Sequence, residues 1–74
     1  MKVTVKLFAD LRKGRFEEKV FDIDNSADVD YLMNMIGVKH DDTAIVLING
    51  RHAEWNTVIS DGDTVAIFPP TGGG

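Results

Sequence analysis

The residues of this 74-residue chain best suited to chemistry stand in its last positions, Pro69-Pro70-Thr71-Gly72-Gly73-Gly74. Glycines lose more backbone freedom on ordering than other residues and bury no side chain, so this segment does little for a core. Its expected role is to carry the α-carboxylate of Gly74 outward on a flexible thread, beyond a strand that Pro69 and Pro70 end. From Pro69 onward the thread spans at most about 20 Å when extended, enough to enter a catalytic pocket on another protein. Lacking Cβ atoms, its glycines fit a narrow channel. A carboxylate is a poor electrophile because neither oxygen leaves readily, so chemistry here requires a partner that activates it.

The remaining candidates read as structural. Asp61 and Asp63 flank Gly62 after Ser60, and turn chemistry explains them without an acid-base or metal role. His40 beside Asp41 and Asp42, and His52 near Glu54, form no ligand set at helical or hairpin spacing, so no metal is expected. Met33 reads as core filler. No nucleophile elbow, phosphate-binding loop or base with an orienting acid is present. The chain does not read as a free-standing enzyme.

Composition narrows the partners. A chain this short buries only about 60% of its unfolded surface, enough for one core and too little for a deep cleft. A net charge of −4, from 12 acidic and 8 basic residues, disfavours a nucleic-acid partner. Arg12, Lys13 and Arg15 cluster around one turn, where solvation is their expected role and contact with a mildly acidic partner surface the alternative. The cysteine count of 0 excludes disulfides and cysteine-ligated zinc. The opening Met1-Lys2-Val3-Thr4-Val5-Lys6 alternates polar and apolar residues instead of forming a signal-peptide block. No apolar run is long enough for a membrane helix. A cytoplasmic location is expected.

The elements that must hold the tail follow from hydrophobic period. Lys2 to Phe8 alternates, with Val3, Val5 and Leu7 on one face and Lys2, Thr4, Lys6 and Phe8 on the other: a half-buried strand. Leu11 to Gly14 is a connection, and Phe16 to Ile23 a second strand with Phe21 and Ile23 inward, completing a hairpin. The period then changes. Ser26 reads as an N-cap, Asp28 and Asp30 suit the helix dipole, and Val29, Leu32, Met33 and Ile36 form one apolar stripe. Gly37 is a left-handed stop. Val38 to Thr43 reads as an exposed connector and Ala44 to Ile48 as a buried strand. Asn49-Gly50 signals a tight hairpin into Arg51-His52-Ala53, and Thr64 to Phe68 is the last strand.

A single short helix covers one face of a four- or five-stranded sheet, so the other face meets water or a partner. With Val3, Val5, Leu7, Val65 and Ile67 toward the helix, the pleat sends Phe8, Ala66 and Phe68 to the open face. Either Val46 and Ile48 or Ile45 and Leu47 join them. That patch at the root of the tail reads as a docking surface; loops around Trp55 covering it are the alternative.

This arrangement resembles the β-grasp fold of ubiquitin-like sulfur carriers. The residues that carry the likeness are Asn49-Gly50, the block from Asp61-Gly62-Asp63 through Phe68-Pro69-Pro70, and Gly72-Gly73-Gly74. Leu7-Phe8-Ala9-Asp10-Leu11-Arg12 is similar to the opening of the small subunit of molybdopterin synthase. The thiamine sulfur carrier is similar through the second half. The resemblance implies an α+β, β-grasp domain over residues 1–68, with a mixed sheet and one main helix on one face, and a flexible glycine tail over 69–74. It further implies that an ATP-dependent, E1-like activating enzyme using Mg²⁺ adenylates the C-terminal glycine. Sulfur from a persulfide donor then displaces AMP to leave a thiocarboxylate. The chain itself binds no cofactor. The acceptor would be a molybdopterin precursor on a large synthase subunit, or, in a thiamine pathway, thiazole synthase. An activated terminus also suits a ubiquitin-like modifier that forms isopeptides with target lysines, and a β-grasp binding module with an inert tail is a third reading. Members of this kind end at a glycine pair, whereas this chain has a third glycine: either Gly74 is the activated residue, or trimming exposes Gly73. Phe8, Phe68, Pro69 and Pro70 are the expected docking root, and Gly72 and Gly73 the threading segment.

Overall fold

In the computed structural model, which describes residues 1–43 and 45–70, five strands and one α-helix share a single core. Strand β1 (Lys2–Leu7) buries Val3, Val5 and Leu7 completely and turns its alternate residues away, as its period demands. Strand β2 (Glu18–Asp22) pairs with it antiparallel, Val3 opposite Phe21 and Val5 opposite Lys19. It is shorter than the expected Phe16–Ile23, because a 3₁₀ turn over Ala9–Arg12 and the bend at Gly14 occupy the connection. Leu11 on that turn is buried in the core.

Helix α1 (Val29–Ile36) presents Val29, Leu32 and Met33 to the sheet, all fully buried, with Ile36 packed at the margin. Its cap is Asp28, not Ser26. Asp28 is extended at φ −106° and ψ −179°, and its carboxylate accepts the Tyr31 N–H at 2.8 Å. Tertiary pairing sets that conformation: Ile59 N–H donates to Ala27 C=O at 2.9 Å and Val29 N–H to Thr57 C=O at 3.1 Å, clamping Asp28 beside Val58. Ser26 lies too far back in the preceding turn to meet the first helical amides. Asp28→Ala is therefore expected to cost about 1 kcal/mol in urea unfolding, and Ser26→Ala close to nothing; equal losses would contradict the assignment.

Gly37 ends α1 at φ 78°, and Val38 N–H closes back on Met33 C=O at 2.9 Å. The connector that follows is not uniformly exposed. Val38 and Thr43 are buried, because the helix stop turns Val38 into the core, while His40–Asp42 form a 3₁₀ turn at the surface.

Strand β3 (Ile45–Ile48) is buried on one side only, since the helix covers one face: Val46 is 2% exposed and Ile45 45%. Asn49 and Gly50 both take positive φ, 52° and 81°, the geometry of a tight hairpin turn, and lead into β4 (Arg51–His52). Strand β5 (Thr64–Phe68) runs between β3 and β1, giving the order β2-β1-β5-β3-β4. The β1–β5 pair is parallel and the others antiparallel, so the sheet is mixed. The crossover that a parallel pair requires contains α1. This is the ubiquitin-like β-grasp fold.

Asp61 and Asp63 do turn work. Asp61 accepts the Lys2 N–H at 2.7 Å, and Asp63 accepts the Ser60 N–H and the Asn49 side-chain amide, both at 2.8 Å. The same Asn49 side chain accepts the Thr64 N–H at 2.9 Å, tying one turn to the other. Among the described residues, no helix is long and apolar enough to cross a membrane.

Candidate functional site

Parallel pairing of β1 with β5 aligns the ends of both strands, Leu7 opposite Ile67. The residue after each of these is a phenylalanine, and the pleat turns both rings to the face away from α1. Phe8 and Phe68 stack there with centroids 4.2 Å apart and planes 11° from parallel. Phe8 N–H donates to Ile67 C=O at 3.2 Å, holding the strand ends together. Arg12 completes the group. Its Nε donates to Leu7 C=O at 2.7 Å, and its guanidinium carbon lies 5.4 Å from the centre of the Phe8 ring.

Register extends this patch across the sheet. Phe68 stands opposite Ile45 and Ala66 opposite Leu47, so Ile45 and Leu47 take the open face while Val46 and Ile48 pack inward. Of the two alternatives left by the alternation in β3, this is the one observed. Pro69 and Pro70 continue from Phe68 and border a surface cleft shared with Leu11, Arg15 and the carboxylates of Asp10, Asp41 and Asp42. The expected site residues Phe8, Phe68, Pro69 and Pro70 are thus brought together at one end of the sheet. Gly72, Gly73 and Gly74 lie outside the described residues, as does most of the proposed 69–74 tail.

Trp55 does not cover the patch. Its carbonyl accepts the Asp30 N–H at 2.9 Å at the start of α1, and its ring stacks on His40 at 4.1 Å, on the helix side. His40 Nε2 also meets Asp30 Oδ1 at 2.6 Å, while His52 and Glu54 are 3.9 Å apart at the surface. Among the described residues, no group of His, Cys, Asp and Glu is arranged to hold a metal ion.

The pattern of residues gave little warning of the arginines. Both were expected to be solvated, yet Arg12 caps the end of β1 and Arg15 donates to Leu11 C=O at 3.1 Å and Gly37 C=O at 2.8 Å. Arg15 thereby links the first turn to the end of α1. The one local hint is an arginine four residues after Phe8, a spacing too common to carry weight alone.

This architecture defines a class, and comparison with known proteins agrees with it. A family model described as the ThiS family matches residues 5–74. The chain belongs to the ThiS family, among the β-grasp, ubiquitin-like sulfur carriers. Its structure is similar to that of SAMP1 from Haloferax volcanii, with a TM-score of 0.81 and 27% identity over 100% of both chains. It is also similar to a Pyrococcus furiosus protein described as molybdopterin converting factor, subunit 1, with a TM-score of 0.77 and 29% identity over 96% of this chain and 99% of that one. A chain from the complex of subunits 1 and 2 of the molybdopterin-converting factor of Helicobacter pylori 26695 shares the fold, with a TM-score of 0.69 and 24% identity over 100% of both. A search of curated proteins finds no match.

Proposed function

We propose that the chain carries sulfur as a thiocarboxylate on its C-terminal glycine, Gly74, for the biosynthesis of a cofactor, most fittingly molybdopterin. The observation that carries this reading is the Phe8–Phe68 stack, an apolar footing at the end of the last strand, which the glycines follow in sequence. The carboxylate attacks the α-phosphorus of ATP on an E1-like enzyme, pyrophosphate leaves, and an acyl-adenylate forms. Mg²⁺ on that enzyme balances the phosphate charge. The terminal sulfur of a persulfide then attacks the carbonyl carbon and expels AMP. A thiol cleaves the resulting acyl disulfide at its S–S bond, leaving the thiocarboxylate. This chain supplies the acyl group, the reach and the docking face; its partners supply the acids, bases and metal.

The partner that receives the sulfur is a large synthase subunit. Support comes from the Helicobacter fold relative, whose subunit 1 is in complex with subunit 2, and from the Pyrococcus protein described as subunit 1. Membership of the ThiS family keeps a thiamine route, with thiazole synthase as acceptor, as the alternative destination. A cytoplasmic setting suits these partners.

Intact mass spectrometry tests the chemistry. Incubated with an activating enzyme, Mg²⁺-ATP, a persulfide donor and a thiol, the chain is expected to gain the mass difference between sulfur and oxygen. A chain that stays at its original mass overturns the reading. Docking has its own test: Phe68→Ala is expected to weaken capture by the activating enzyme about tenfold or more, as for a buried aromatic anchor. Unchanged affinity would remove the patch from the interface.

A second reading, protein modification through isopeptide bonds, is favoured by the likeness to the small archaeal modifier protein 1 of Haloferax volcanii. Higher-mass conjugates that survive reducing, denaturing gels and disappear when Gly72 to Gly74 are deleted would support it.

A further inference from the structure

We propose that the outer edge of β2, with the groove between β2 and α1, receives an extended segment of another protein as an added sheet strand. The segment would be apolar at its centre and carry one acidic residue toward the helix side. This surface is separate from the Phe8–Phe68 patch and independent of tail chemistry.

Among the described residues, strand β2 ends the sheet, with β1 on one side only. Backbone bonds flank it at both ends: Leu7 N–H donates to Glu17 C=O at 3.0 Å, and Ile23 N–H to Met1 C=O at 2.9 Å. Alternation in an antiparallel pair then turns the amides and carbonyls of Lys19 and Phe21 toward β1 and those of Glu18, Val20 and Asp22 outward. Such an edge is a template for a further strand.

The side chains on either side of that edge define the guest. On the helix side, Phe16 and Phe21 lie 5.4 Å apart, and with Met35 and Ile36 they line a groove rimmed by Arg15 and Lys19. Met35 is 45% exposed, beside the buried Val29, Leu32 and Met33 that pack α1 on the sheet. Arg15 is committed to two carbonyls, whereas Lys19 joins none of the ion pairs among the described residues and rests 5.2 Å over the Phe21 ring. Lys19 thus remains to meet an acid across the edge. On the open face, Val20 is 58% exposed between Glu18 and Asp22, both already paired with lysines of β1. A guest strand therefore places an apolar residue over Phe21, another beside Val20, and a carboxylate beside Lys19. Uncharged residues suit the positions facing Glu18 and Asp22.

A second copy of this chain fits less well. The antiparallel register that sets Val20 against its own copy also sets Glu18 opposite Asp22, and facing like charges destabilise a strand pair.

The experiment titrates the full-length, amide-labelled protein with a blocked peptide, Thr-Ile-Val-Asp-Thr, followed by NMR. The amides of Glu18, Val20 and Asp22 are expected to shift and to exchange more slowly with solvent. Replacing the peptide aspartate by lysine is expected to weaken binding roughly three- to fivefold, the worth of a rim ion pair. Lys19→Glu should reverse that preference while leaving the spectrum folded. Val20→Pro, which removes an outward-facing N–H, should abolish the shifts. Shifts confined to residues near Phe8 and Phe68, equal binding of the acidic and basic peptides, or β2 shifts that follow protein concentration without peptide would each overturn the proposal.

Discussion

Deleting Gly74 is expected to lower sulfur loading at least about 100-fold while leaving the urea midpoint unchanged. The physical ground is reach. One residue of extended chain spans about 3.3–3.6 Å, and misplacing a reacting atom by about 1 Å can cost about 100-fold in rate. If the stacked Phe8 and Phe68 dock on the partner as proposed, sliding the body forward cannot make good the shortened terminus. Loading by the activating enzyme, read as the fraction of chain that gains sulfur mass at fixed time, measures the effect. Two outcomes discriminate sharply. Full loading of the shortened chain would show that Gly73 is the acylated residue and that the third glycine is trimmed. Loss on deleting Gly74, with the sulfur located on residue 74 of the full-length chain by tandem mass spectrometry, would assign the chemistry to Gly74. If deletion of all three glycines leaves loading intact, the carrier reading fails.

Leu32→Ala should have the largest effect on stability, about 2–5 kcal/mol in urea unfolding. Leu32 is fully buried on α1, and the helix has only eight residues with which to cover the sheet. Val29 and Met33 fill the rest of that interface, so neighbouring groups have little freedom to close the cavity. For 74 residues the whole folding free energy is about 4–11 kcal/mol, so the substitution removes much of it. A parallel measurement at an exposed site keeps the comparison fair: Tyr31→Ala, on the outward face of the same helix, should cost no more than about 1 kcal/mol. A loss under about 1 kcal/mol at Leu32 would mean that α1 is not the lid on the core.

The two predictions draw on different levels of information. The role assigned to the glycines rests on residue type alone, because absent side chains have the same consequence in any fold. Likewise, the inward set of β1 followed from a strict alternation, Val3, Val5 and Leu7, that only a half-buried strand satisfies. The stripe Val29, Leu32 and Met33 and the stop at Gly37 were legible for the same reason: they depend on local geometry. Asn49-Gly50 was legible because both residues tolerate positive φ.

What the chain order could not decide were choices between near-equivalent local options. Ser26 and Asp28 are both good caps, and Asp28 serves because the 57–59 segment holds it extended from across the fold. In β3 either alternate pair could face outward until its register against β5 put Ile45 beside Phe68. Arg12 finds its partners nearby in sequence, Leu7 C=O and the Phe8 ring, but the stack it borders exists only because β1 and β5 run parallel and end together. Local sequence therefore determined which residues make strands and helix, since those depend on neighbours a few positions away, and it is the sole ground for the role given to the tail. Only the tertiary structure decided which side chains meet at the foot of that tail, because pairing between segments some sixty residues apart in sequence is set by the packing of the whole sheet.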